Sequence, residues 1–144
     1  MGIFLDSGFF LGFCHPKDKF HEQSLSIFRK MSSGQFGLIY TSNAIITETA
    51  TLLLVRTNHN MEIIEEFYSL LYGLNKFVRI LTWSSEIEEK SWNMFKSVNL
   101  NAKSKKEIMS FVDVSNIIFC KEFQIEFMGS FDHHFDGFLK RINS

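Results

Sequence analysis

Four acidic residues, Asp6, Glu48, Asp113 and Asp132, stand where this chain has little structural use for a charge. Asp6 ends the apolar run Ile3-Phe4-Leu5, and Glu48 falls inside a hydrophobic helical stripe. Asp113 opens the run Phe111 to Phe123, and Asp132 closes the apolar stretch Phe127-Met128-Gly129-Ser130-Phe131. A carboxylate at the end of a buried strand is costly without a counter-charge. Four packed together repel one another, and some stay protonated unless a cation joins them. Hard carboxylate oxygens suit Mg2+ or Mn2+. Such an ion activates water and neutralises the charge that grows on a phosphodiester.

Each acid also has a structural reading. Asp6 can cap the helical turn after it. Ser110-x-x-Asp113 is itself a capping box, and Asp132 fits a surface turn in Asp132-His133-His134. Glu48 is the hardest to place structurally. Ala44, Ile45 and Leu52 surround it at helical spacing, with Val55 one turn further, which predicts a buried carboxylate. No Lys or Arg lies within one turn of it, so a structural role needs a distant partner such as Arg79.

The elements that must position these residues follow from hydrophobic period and turn signals. Strands are expected at 2–5, 38–40, 77–81 and 126–131. Helices are expected at 7–13, 18–32, 44–57, 61–73, 85–97 and 111–123. Ser85-x-x-Glu88 reads as a capping box for the fifth helix. Residues 99–106 form a polar loop. The alternation predicts one α/β domain over residues 1–144, with a parallel sheet covered on both faces. In such sheets, sites form at the carboxyl ends of strands. Asp6 and Asp132 fall at such ends, and Asp113 and Glu48 fall in helices at the same edge.

Composition sets further bounds. A net charge of −1 excludes a generally basic protein, so a nucleic-acid partner needs a local basic patch. Lys103, Lys105 and Lys106, in the loop before Asp113, are candidates for holding RNA phosphates. Lys140 and Arg141 are weaker ones. The five histidines lack HExxH spacing and read as non-ligands, with His133 or His134 near substrate. Cys14 and Cys120 lack CxxC spacing and read as buried free thiols. No glycine-rich phosphate loop and no GxSxG elbow is present. Neither a signal peptide nor a membrane span is visible, which predicts a cytoplasmic protein. Seventeen phenylalanines predict an aromatic core with apolar surface left over. Phe9, Phe10 and Phe13 cannot share one face of a short helix, so a second subunit or another partner is expected to cover the remainder.

Together these blocks resemble a PIN domain, most closely the VapC-type toxin ribonucleases. Ile3-Phe4-Leu5-Asp6-Ser7 resembles the family's opening motif, and Phe20-His21-Glu22-Gln23-Ser24-Leu25 resembles a helix start that follows it. Tyr40 to Glu48 is similar to its "TS, apolar, E" block, and Met109-Ser110-Phe111-Val112-Asp113 to its "S/T-x-x-D" block. Ser130-Phe131-Asp132-His133-His134-Phe135 resembles the closing motif. Their order spans nearly the whole chain. The resemblance implies a three-layer α/β/α sandwich with a central, mainly parallel sheet. It implies a Mg2+- or Mn2+-dependent endoribonuclease that uses metal-activated water. Asp6, Glu48, Asp113 and Asp132 would form its acidic site, with Asp6 and Asp113 as principal ligands. Ser7 and Ser110 would stand beside the metal and substrate, and Asp136 would be an additional acid. A homodimer and a small DNA-binding antitoxin are the implied partners. The alternatives are a housekeeping RNA-processing nuclease and a non-catalytic RNA-binding or scaffold module that keeps the fold. The presence of all four acids favours a nuclease.

Overall fold

A computed structural model describes residues 1–144. The all-apolar run at the N-terminus forms β1 (Gly2–Leu5), buried along its length. It lies at the centre of a five-stranded sheet of order β3-β2-β1-β4-β5, in which every pairing is parallel. The other strands are β2 (Leu38–Ser42), β3 (Arg79–Leu81), β4 (Phe127–Gly129) and β5 (Lys140–Ile142). Six helices connect them: α1 (Ser7–Cys14), α2 (His21–Ser32), α3 (Asn43–Arg56), α4 (Met61–Tyr72), α5 (Ser85–Asn99) and α6 (Phe111–Glu122). α1, α2, α3 and α4 pack on one another, and α5 packs on α6. The result is a three-layer α/β/α sandwich. No helix is long and apolar enough to cross a membrane.

The chain winds outward from β1 to β2 and β3, then returns to place β4 on the opposite side of β1. The strand order thus reverses between β1 and β4, and the carboxyl ends there open a crevice of the kind that holds ligands in open α/β sheets. Asp6 follows β1 directly. Asp132 lies three residues beyond β4, on a 3-10 turn at His133–Phe135.

Several elements depart from the expectations. Asp18 Oδ1 accepts from Phe20 N at 2.8 Å, and this turn delays α2 until His21. The cap of α5 is Ser84, whose Oγ accepts from Ile87 N at 3.2 Å, not the Ser85-x-x-Glu88 box. No strand was expected after 126–131, yet the chain forms β5, whose Lys140 and Arg141 are tolerated because it is an edge strand. β3 and β4 are each shorter than their apolar runs.

The aromatic excess is absorbed differently as well. Phe9 and Phe10 are both fully buried. Phe10 meets Phe67 of α4 edge-on at 5.4 Å, while Phe9 stacks on Phe13 at 5.6 Å. Helices on several sides enclose α1, so it leaves no bare aromatic face for a second subunit. Cys14 and Cys120 are free and buried, and burial pushes the Cys14 thiol up to about 12.

Candidate active site

β1 delivers Asp6 to the crevice. Its backbone N–H donates to Gly129 O at 3.1 Å, which ties it to β4. Oδ1 accepts from Ser7 N and Oδ2 from Ser130 Oγ, each at 2.8 Å. Asp6 therefore caps α1 and also faces the crevice. Burial, and next the charge of Asp113, push its carboxyl up to about 7, against the pull of the Ser130 and Ser7 bonds.

α6 begins at Ser110, whose Oγ accepts from Asp113 N at 3.1 Å. This cap places Asp113 in the first turn, facing the crevice. Burial, followed by the charge of Asp132, pushes Asp113 up to about 6. Asp132 N donates to Ser130 Oγ at 3.0 Å. The fully buried Ser130 thus joins Asp6 to the loop that carries Asp132.

His134 completes the tightest group. One ligand atom each from Asp113, Asp132 and His134 lie within 4.8 Å of one another. His134 Nδ1 is 3.5 Å from Asp132 Oδ1 and 3.9 Å from Asp113 Oδ2. Nε2 is 2.8 Å from Lys106 O. A carbonyl only accepts, so Nε2 carries a proton; when the ring is neutral, its Nδ1 lone pair faces the acids. That Nδ1 is buried and has no hydrogen-bond partner. A ring fixed by a carbonyl on one nitrogen, with the other nitrogen and carboxylate oxygens converging, suits a divalent cation. The Lys106 bond is also the main reason why the His134 pKa is raised.

His134, read from the sequence as a non-ligand, lies with Asp113 and Asp132 in this group of converging ligand atoms. Its position two residues after Asp132 was the available signal. Glu48 needs correction. The buried line of α3 is Ile45, Thr49 and Leu53, and Val55 is 68% exposed. Glu48 is therefore exposed and needs no buried partner; Arg79 forms no ion pair. It still lines one cleft with Asp6, Ser7 and Asp132, and its charge raises both Asp6 and Asp113. Asp136 does not join the cluster. It is exposed and held by Arg141 Nε at 2.9 Å and His133 Nδ1 at 3.0 Å, and the arginine keeps its carboxyl below the usual range. Arg141 is thereby committed to this loop.

Lys103, Lys105 and Lys106 are exposed. The Lys106 carbonyl brings their loop to His134, but none of the three side chains lines the acidic cleft. Two cations that do line it, Lys19 and Arg56, were missed. Arg56 lies two helical turns after Glu48 on α3, a spacing legible in the sequence. It is only loosely paired, 3.9 Å from Asp18.

An acidic cluster at the switch point of a parallel five-stranded sheet is the arrangement of a PIN domain, the family that the sequence motifs resemble. No family model matches the chain. It is 26% identical to a VapC ribonuclease of Archaeoglobus fulgidus over 135 residues, 94% of this chain and 80% of that protein. Its fold is similar to the crystal structure of VapC20 of Mycobacterium tuberculosis, a sarcin-ricin loop cleaving toxin. The TM-score is 0.74 at 24% identity, covering 96% of this chain and 97% of the other. The chain has the PIN fold and resembles proteins of the VapC type.

Proposed function

We propose that residues 1–144 are a single nuclease domain, a Mg2+- or Mn2+-dependent endoribonuclease that acts in the cytoplasm as the toxin of a toxin–antitoxin pair. The observation that carries this reading is the convergence of Asp6, Asp113, Asp132 and His134 from three separate segments on one crevice, with two of the carboxyls pushed up by burial and by their neighbours. The two VapC relatives support RNA as the substrate.

Asp113, Asp132 and His134 would hold the cation, with Asp6 beneath them and Glu48 at the rim. The ion would supply a neutralising charge and an acidified water for phosphodiester hydrolysis. Ser130 holds Asp6 through Oδ2, and Ser110 orders the turn that presents Asp113. Lys19 and Arg56 would grip phosphates next to the scissile one, since they share the cleft with the acids. Ser7, half-buried in the same cleft, would contact substrate. The loop of Lys103, Lys105 and Lys106 would add longer-range attraction. The proposed partners are a small DNA-binding antitoxin and a second copy of the chain. Exposed Tyr68 and Tyr72 on α4, with Leu74 beyond it, offer apolar surface for one of them.

The test is cleavage of a structured RNA with Mg2+ or Mn2+, with and without EDTA, by the wild-type protein and Asp113→Asn. Cleavage is expected only for the wild type with metal. Activity that survives both chelation and the substitution would refute the reading.

A further inference from the structure

We infer that a groove leads from the acidic cluster to a nucleobase-stacking subsite formed by Trp83, Trp92, Phe95 and Phe111, which selects an unpaired base beside the scissile phosphate. The inference rests on the ribonuclease reading above. Three hollows share walls in sequence. Glu48 lines the acidic cleft and also the next hollow, with Asn43 and Trp83. Trp83 lines that hollow and the aromatic one beyond, with Trp92, Phe95 and Phe111. Phe111 and Val112 immediately precede Asp113, so the first turn of α6 sets both the metal-facing acid and the aromatic wall.

The rings are arranged around Phe111. Its centroid lies 4.8 Å from Trp92, 5.5 Å from Phe95 and 5.6 Å from Trp83. Core packing accounts for part of this cluster, but Trp92 remains 56% exposed. Two polar atoms on the path, Trp83 Nε1 and Asn43 Oδ1, are shut from solvent without any hydrogen-bond partner. Both lie behind the surface of the hollows, so the exposed ring faces, not these atoms, would meet a base. The charged residues on the path are Glu48 and Glu88, which repel a phosphate. Aromatic faces accept any base. A base inside a duplex is already stacked and paired, so the subsite selects a nucleotide that is splayed out.

The chain has two tryptophans, and both belong to this path. Fluorescence excited selectively at tryptophan therefore reports on it. The experiment titrates the full chain, in EDTA to prevent cleavage, with a short single-stranded oligoribonucleotide. Controls are the same strand with abasic positions and the same strand in a duplex. Saturable quenching is expected for the intact single strand and not for the controls. Trp92→Ala should weaken binding on the order of 5- to 150-fold, equivalent to the ~1–3 kcal/mol of one stacked base, and Trp92→Phe should retain most of it. With Mg2+, Trp92→Ala should raise KM far more than it lowers kcat. Equal quenching by the abasic strand, or an unchanged affinity and KM in Trp92→Ala, would overturn the proposal. So would a Trp92→Ala protein that loses only self-association by light scattering, since the patch would then join copies of this chain. Base-dependent binding without any cleavage would support the subsite while refuting the nuclease reading.

Discussion

Replacing Asp6 with Asn separates the electrostatics of the cluster from its chemistry. Burial and Asp113 hold the Asp6 carboxyl at about 7, against an ordinary value of 3.8. Between those two pH values the folded state binds more protons than the unfolded state, so stability falls as pH rises through the window. At ~1.4 kcal/mol per unit, ionised Asp6 costs the metal-free fold about 4 kcal/mol at pH 8. Asn keeps the size of the side chain and an acceptor for Ser7 N, but relative to the neutral carboxyl it weakens the bond with Ser130, a neutral hydrogen bond worth about 0.5–1.5 kcal/mol. Asp6→Asn should therefore stabilise the chelated protein at pH 8 by about 2–4 kcal/mol, or several degrees in Tm. At pH 4 the carboxyl is protonated in the fold and the sign should reverse, because only the lost hydrogen bond remains. Thermal melts in EDTA at the two pH values measure this. A saturating Mn2+ titration should then stabilise the wild type, by about 2.7 kcal/mol at 100 times Kd, and stabilise Asp6→Asn much less. Equal destabilisation by Asp6→Asn at pH 4 and pH 8 would show that the crowded carboxyls carry no electrostatic strain, and the reasoning would fail.

Three further outcomes are expected. Gly12→Ala should destabilise the fold by about 1–3 kcal/mol in a denaturant titration, because an added Cβ overlaps Ser24 Oγ and crowds Phe20 O where α1 meets α2. Ser84→Ala should cost about 1 kcal/mol by the same measurement, with Ser85→Ala close to neutral, since Ser84 is the residue that caps α5. In RNA binding, the double change Lys19→Ala and Arg56→Ala should flatten the salt dependence by roughly 0.7 per lost phosphate contact, more than the triple alanine change at Lys103, Lys105 and Lys106; the reverse order would place the RNA backbone on the lysine loop.

Local signals were enough for most of the architecture. An all-apolar run ending in Asp6, a serine cap at Ser110, and regular alternation of strand and helix specify the parallel sandwich, because each depends on neighbours a few residues apart. The same holds for three of the acids: buried strands lead to Asp6 and Asp132 at the sheet edge, and the local Ser110 cap presents Asp113. Glu48 shows where the local signal ran out. Its apolar neighbours satisfied a helical stripe, but which face of α3 turns inward depends on what packs against it. The structure buries Ile45, Thr49 and Leu53 and leaves Glu48 in water. Phe10 was misread for the same reason, since its cover, Phe67, lies on another helix. β5 is three residues long and charged, and an edge strand of that kind is recognisable only from the partner it pairs with. His134 and Ser130 joined the site through bonds to Lys106 O and to Asp6. Chain separation of 28 and 124 residues puts those bonds beyond any local pattern. The sequence by itself placed Asp6, Asp113 and Asp132 at the crevice edge; only the tertiary structure decided which other groups surround them, because long-range packing chooses the neighbours that set burial, charge and hydrogen bonding.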